Sequence, residues 1–464
     1  MGGGRWSGSK RVVIEAEDAV VGADAGPEAP PGEPVTARTE VRPPGIYRAV
    51  LANPVFRRLW LVQLVAALGE ALASVALPLL AYEITGSAGR LGLIFVVQQA
   101  PKVLLAPIAG VLADRVNRRS LMLGADLGRA LIVLPLPLVT EFWQIAALAA
   151  LVAVGNAVAR PAELAAVPAV VAPGELVSAL SVSQVTNALV RIVGPGIGAG
   201  IVAVAGPGPV FWLQALCFLA SAAFLWRLVL PAVGRAPASG GGLVRLAALA
   251  RREAAEGLRI VVTNPVVRGI SAVEALWQLV VGIFFVATVV YVEESLRLDD
   301  AGTVYALLMG TLGAGTAVGA LAAGRVERRI GRPRLMAIGY LAPLMLIPAG
   351  LTPPLPVLFG CWFVLGFTDA WAVIAMQAYL AEAVPNELRG RVYATWGAII
   401  TLAAAGGYGL IGWAADALGP PPTIAAVGAL VGFGGPLLLL VTGALPALRR
   451  DGPAAPAAPD AERA

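Results

Sequence analysis

Apolar runs of about 20 residues, separated by short polar or Gly/Pro-rich connections, recur along most of the chain. A hydrocarbon core roughly 30 Å thick is crossed by a helix of about that length. The pattern predicts an all-α polytopic membrane protein with twelve spans, near residues 57–82, 90–112, 119–140, 143–166, 177–204, 209–230, 267–292, 302–324, 334–351, 355–384, 390–416 and 422–446.

The spans fall into two sets of six that repeat one another. Asn53-Pro54 before the first span returns as Asn264-Pro265 before the seventh, Pro135 in the third as Pro348 in the ninth, and Pro173-Gly174-Glu175 as Pro385-Asn386-Glu387. Pro231 and Pro446 end the sixth and twelfth, and all these offsets lie between 211 and 215 residues. An even number of spans per copy gives both copies the same orientation. The expected organisation is a tail over 1–52, a six-helix bundle over 53–231, a linker over 232–263, a second bundle over 264–447 and a tail over 448–464. The linker opens Gly-rich and becomes amphipathic in LVRLAALARREAAEGLRIVV, which suits a helix lying along a membrane face.

Composition agrees with a membrane chain. Hydrophobic residues make up 58% and charged residues 14%, against about 25% charged in a soluble domain. Only Lys10 and Lys102 are lysine, so arginine sets the topology. Arg115, Arg118 and Arg119 follow the second span, Arg325, Arg328, Arg329, Arg332 and Arg334 follow the eighth, and Arg389 and Arg391 precede the eleventh; the opposite loops offer Arg90 and Arg297. Positive loops face the cytoplasm, so both termini are expected inside the inner (plasma) membrane. The segment to Arg42 is rich in Gly, Pro, Ala and acidic residues and reads as a disordered tail. Its early basic residues are followed by no apolar core, so a signal peptide is not expected. Cys217 and Cys361 lie in apolar runs and read as packing residues. There is no histidine, which removes the usual proton shuttle and the commonest metal ligand. With no G-x-x-x-x-G-K-[ST] loop either, no cofactor, nucleic acid or enzymatic chemistry is expected.

The turn from Gly110 to Arg119, GVLADRVNRR, resembles the signature loop of the major facilitator superfamily, and GRVERRIGRPR from Gly324 is a degenerate second copy. NPVFRRLW, ALPLLAYEITGSAGRLG from Ala76, DLGRA at Asp126 and GPGIGAG at Gly194 resemble the branch that holds macrolide-efflux proteins and the enterobactin exporter. The resemblance implies the major facilitator fold and a cytoplasmic latch made by Gly110, Asp114, Arg115, Arg118 and Arg119 with Arg389 and Arg391 at the start of the eleventh span. Asp114 opposite that helix N-terminus would gain about 0.3 to 1 kcal/mol; Arg328 in its place in the second copy implies a weaker latch. Gly194, Pro195 and Gly198 resemble the antiporter motif of exporters, and close helix packing is their plain reading. Parallel repeats place a substrate site between the halves near the midplane.

Charges within spans cost roughly 2.5 to 3.5 kcal/mol each at a helix centre, so Glu70, Lys102, Arg191 and Asp369, with Glu274 nearer the inside, are expected to face a cavity. Gln63, Ala67, Glu70 and Ser74 form a polar stripe on the first span, and Gln184, Asn187 and Arg191 form one on the fifth. Gln278 joins the polar cavity set. Glu70 beside Lys102 or Arg191 would respond to protons as its partner moved, which is what coupling needs. The expected function is proton-coupled efflux of a small amphiphilic drug, antibiotic or siderophore by a monomer in contact with lipid. An importer or facilitator of a metabolite is the alternative. A receptor or enzyme has no histidine, metal cluster or large extramembrane domain to support it.

Overall fold

The recurring Asn-Pro pairs start two helices in the same way. In the computed structural model, which describes residues 50–105, 112, 116–228, 230, 252, 255–296, 301–384 and 388–444, the Asn53 side-chain oxygen accepts from Val55 N at 3.0 Å and Phe56 N at 3.2 Å. Asn264 accepts from Val266 N at 2.9 Å and Val267 N at 3.2 Å. Proline is harmless in a first turn, where its missing N–H has no intrahelical acceptor. Each asparagine then donates its amide to the end of another helix, Asn53 to the Val170 carbonyl at 2.9 Å and Asn264 to that of Ala383 at 3.4 Å.

The helices are α1 (Pro54–Thr85), α2 (Ala88–Leu104), α3 (Arg118–Val133), α4 (Phe142–Val170), α5 (Leu176–Ala205) and α6 (Gly208–Trp226) in the first copy. In the second they are α7 (Pro265–Gly282), α8 (Ala301–Ile330), α9 (Arg332–Leu341), α10 (Leu355–Ala383), α11 (Arg389–Leu418) and α12 (Pro420–Val441). The described residues contain no strand. α7 runs on through two wide turns, Ile283–Ala287 and Tyr291–Ser295, to form one long span. Among the described residues, ten segments are long and apolar enough to cross a membrane. α2 and α9 occupy the predicted second and ninth spans. The expected ninth span is not one continuous helix, because Pro343 and Pro348 turn residues Ala342–Met345 into a tight 3-10 segment before Leu346–Ala349. Pro135 does the same to α3, which ends at Val133. The two tails, Pro231, Pro446 and most of the linker lie outside the described residues.

Helix pairings also come twice. α1 packs on α5 and α6 as α7 packs on α11 and α12; α4 packs on α2 and α3 as α10 packs on α8 and α9. Between the copies, α2 meets α11 and α5 meets α8, again an equivalent pair.

The apolar core is divided unequally along these helices. Its largest part draws on both copies, from Leu79, Leu91 and Phe95 to Tyr305, Tyr408 and Ile411. Toward the end that carries Arg118, Arg119 and Arg391, here the arginine end, the large core continues in the second copy alone, to Leu335 and Tyr379, and two smaller cores stand beside it. One holds Phe56, Leu59, Met122, Ala166 and Leu225 from the first copy, the other Val261, Val267, Leu380 and Val392 from the second. Among the described residues, apolar packing between the halves is found away from the arginine end.

At the far end the halves are clasped. The Asp416 carboxylate at the end of α11 accepts from Ala88 N at 2.8 Å, Gly89 N at 2.9 Å and Ser87 Oγ at 2.8 Å, so it caps the N-terminus of α2 across the interface. One turn further in, a Cβ on Gly92 would lie 2.5 Å from the Tyr408 carbonyl oxygen and one on Gly412 would lie 2.6 Å from that of Ala88. Only glycine permits this approach. Phe95 of α2 then meets Tyr408 and Phe285, with ring centroids 5.0 and 5.8 Å away, and Tyr82 donates to Glu294 at 2.5 Å.

Candidate functional site

Below this aromatic ceiling, the first copy buries a network centred on Arg129 of α3. Arg129 bonds Asp126 one turn away, donates to Glu70 of α1 at 2.9 Å and to Asn156 of α4 at 2.6 Å, and lies 4.4 Å above the Phe218 ring of α6. Ser221 Oγ of α6 donates to the second Asp126 oxygen at 2.6 Å. Four helices are therefore tied through one guanidinium, whose planar fork reaches several acceptors at once. Arg129 and Asp126 are sealed in, whereas the Glu70 side chain is 43% exposed although it sits at mid-helix. An acid left open at that depth is a candidate for facing a polar space inside the bundle. Glu163 of α4, paired with Arg160 at 3.4 Å, is within Coulombic reach of Arg129 and Glu70.

The direct partner of Glu70 is thus Arg129, not Lys102 or Arg191 as the sequence suggested. Lys102 acts on Glu70 only at longer range and donates to the Gln99 side chain at 2.9 Å. It follows Phe95 and Gln99 on one face of α2, the face that meets the second copy. Arg191 of α5 is exposed, makes no ion pair among the described residues, and is within Coulombic reach of Asp369 on α10. Glu274 of α7 accepts from Tyr340 Oη at 3.1 Å, and Gln278 donates to the Glu274 carbonyl at 3.4 Å.

The polar stripes divide on inspection. Gln63 is buried and accepts from Ser183 at 3.1 Å, so it joins α1 to α5 rather than lining the open space. Gln184 is exposed and Asn187 half-buried. Gly194 and Gly198 press α5 onto Ala71 and Leu72, the residues after Glu70. The GPGIGAG segment, with Pro195 inside the helix, is a close-packing device beside the acidic residue.

Gly110, Asp114 and Arg115 lie outside the described residues. The described arginines of the expected latch bond within their own copies. Arg118 donates to the Ala165 carbonyl at 2.9 Å, and Arg119 to the Leu225 and Trp226 carbonyls at 2.9 and 2.5 Å, a cation at a helix C-terminus. Arg391 pairs with Glu256 of the linker helix over 255–263. For Arg389 the structure gives a backbone position, the first residue of α11. In the second copy, Arg332 joins Glu327 and Glu382. A separate groove of about 380 Å³ on α8, between Val318 and Arg329, is lined by none of the mid-helix charges.

Asp126 and Arg129 are the residues that sequence reasoning passed over as family-motif positions. Their signal was an opposite pair three residues apart in an apolar helix, which neutralises itself on one face.

Membrane-crossing helices in two equivalent sets, clasped at one end around buried charge, define a polytopic membrane carrier. The Major Facilitator Superfamily model matches residues 59–349 and 298–463, and the chain belongs to that family. It is 29% identical to the multidrug efflux pump Tap of Mycolicibacterium fortuitum over 83% of this chain and 94% of that protein. With the enterobactin exporter EntS of Citrobacter koseri it shares 25% identity over 88% of this chain and 96% of that protein. Among solved structures, a bacterial homologue of the human lysosomal transporter Spinster, inward-facing and unoccupied, superposes with TM-score 0.65 at 16% identity, covering 88% of this chain and 99% of that one.

Proposed function

We propose that the protein is a proton-coupled exporter of small amphiphilic compounds that works as a monomer by alternating access. The observation that carries this reading is the divided core, joined at the far end and, among the described residues, not joined at the arginine end, with Glu70 exposed at mid-helix. Arginine-rich ends face the cytoplasm, which puts both termini inside and makes this the inward-open state. The bundles over 53–231 and 264–447 rock about the midplane, and the GVLADRVNRR turn against the start of α11 closes the cytoplasmic side in the opposite state. Relatives named as a multidrug efflux pump and an enterobactin exporter support the outward direction.

Glu70 is the coupling group in this reading. Arg129 has three acceptors, so when Glu70 takes a proton the guanidinium keeps Asp126 and Asn156 and is not left as a bare buried charge. Glu70 is the releasable partner, since its side chain is 43% exposed while that of Asp126 is sealed. Inside-out vesicles with an acidified lumen, offered ethidium and norfloxacin as fluorescent probes, test both direction and coupling. Accumulation is expected for the parent, while Glu70→Gln retains binding, loses gradient-driven accumulation and flattens its pH dependence. A Glu70→Gln protein that pumps like the parent at every pH would move the coupling role to Glu274 or Asp369, or to another ion. Gradient-driven loss of probe from the vesicles would instead establish import.

A further inference from the structure

The mid-helix charges that make no ion pair among the described residues are sorted by sign between the two copies. On the first-copy wall stand Lys102, whose bond goes to the neutral Gln99, and Arg191, which has no bonded partner among the described residues. Opposite are Asp369, likewise without one, and Glu274, whose side chain accepts from the neutral Tyr340 hydroxyl. The remaining mid-helix charges, Glu70, Asp126, Arg129, Arg160 and Glu163, are bonded among themselves. At the repeat offset, Lys102 falls on Gly313 to Gly315 and Arg191 on Ala403 and Ala404, so the second copy has no cation to match. Charge without a counter-charge is costly at this depth. Arg191 is within Coulombic reach of Asp369, and the two make no ion pair among the described residues.

We propose that this cavity recognises a zwitterionic amphiphile, with its anionic group held by Lys102 and Arg191 on one wall and its cationic group by Asp369 and Glu274 on the other. The inference rests on the transport reading above and names its substrate class. A molecule carrying both charges satisfies both walls and draws them together, whereas a singly charged one leaves the opposite wall unpaired. The Phe95, Tyr408 and Phe285 rings above supply an apolar face for its body.

Norfloxacin, its methyl ester and its N-acetyl derivative form a matched zwitterion, cation and anion. Titrating each into purified full-length protein in maltoside detergent should give the zwitterion a Kd about tenfold or more below both relatives. Lys102→Met with Arg191→Met should raise its Kd to that of the ester, and Asp369→Asn with Glu274→Gln to that of the N-acetyl compound. Equal affinities in the parent, an ester as tight as the zwitterion, or no binding of any of the three would overturn the assignment. The parent ranking needs no variant to fold. Vesicle accumulation of ethidium, measured in parallel, separates the two readings. Accumulation without a zwitterion preference overturns the substrate class alone, and a zwitterion preference without accumulation of any probe overturns export alone.

Discussion

The two copies share a scaffold and differ in how they hold charge. At the 213-residue offset that relates Val170 to Ala383, Asp126 falls on Gly339, Arg129 on Ala342 and Asn156 on Asp369. The first copy surrounds a buried arginine with acceptors; the second has a carboxylate where the first has an amide, and no arginine beside it. One network is closed, the other half-built. The closed network gives Arg129 bonded acceptors on three sides, and the open one leaves Asp369 without a bonded cation among the described residues.

The largest expected effect tests that contrast directly. Arg129→Met strands the sealed Asp126, and breaking one partner out of a buried pair costs on the order of 3 to 5 kcal/mol. Adding Asp126→Asn should recover part of the loss. Asp369→Asn, which removes a carboxylate with no bonded cation among the described residues, should change thermal stability in detergent by less than about 1 kcal/mol. Equal losses for Arg129→Met and Asp369→Asn would mean that the second copy holds a closed network of its own.

Much of the scaffold is legible from the sequence because it is written in residues with one physical meaning. Asn-Pro starts α1 and α7, and length in apolar residues marks most of the spans; Pro135 and Pro348 read only as repeat markers, and the breaks in the third and ninth spans came from the structure. The partner of Glu70 is not legible in that way. Lys102, Arg129, Arg160 and Arg191 are all cations inside spans, and choosing among them needs the packing of α4 on both α1 and α3, which no local pattern encodes. The far-end clasp was hidden for a similar reason. Asp416 reads as an ordinary helix end and Ser87 as an N-cap for its own helix, which it also is, accepting from Arg90 N at 3.3 Å. Their meeting joins residues more than 300 positions apart.

The clasp gives an effect of intermediate size. Asp416→Ala removes an anion and three acceptor contacts from the start of α2, a loss of about 1 kcal/mol for the state in which that end is closed. Coupling of that size shifts a two-state population roughly fivefold. Spin labels on Arg90→Cys and Leu418→Cys, both exposed positions at this end, report it when the buried Cys217 and Cys361 are replaced. The longer-distance population should grow in Asp416→Ala. An unchanged distance distribution would show that the Gly92 and Gly412 contact and the aromatic ceiling hold the end shut unaided.

The smallest effect asks whether the copies are equal where they look equal. Asn53 and Asn264 each combine a cap with a tie to a neighbouring helix, so Asn53→Ala and Asn264→Ala should each cost about 1 kcal/mol. Asn53 should cost slightly more, because its tie to Val170 is 2.9 Å against 3.4 Å for that of Asn264 to Ala383. Substitution by Asp separates the two contributions: a carboxylate still accepts from the first-turn amides but cannot donate to the Val170 or Ala383 carbonyl. Asn53→Asp should therefore lose the tie while keeping the cap, and should fall between the parent and Asn53→Ala in thermal stability. If Asn53→Asp is as stable as the parent, the tie to α4 contributes nothing and the cap alone explains the recurring pair; if it is as unstable as Asn53→Ala, the tie is the whole effect.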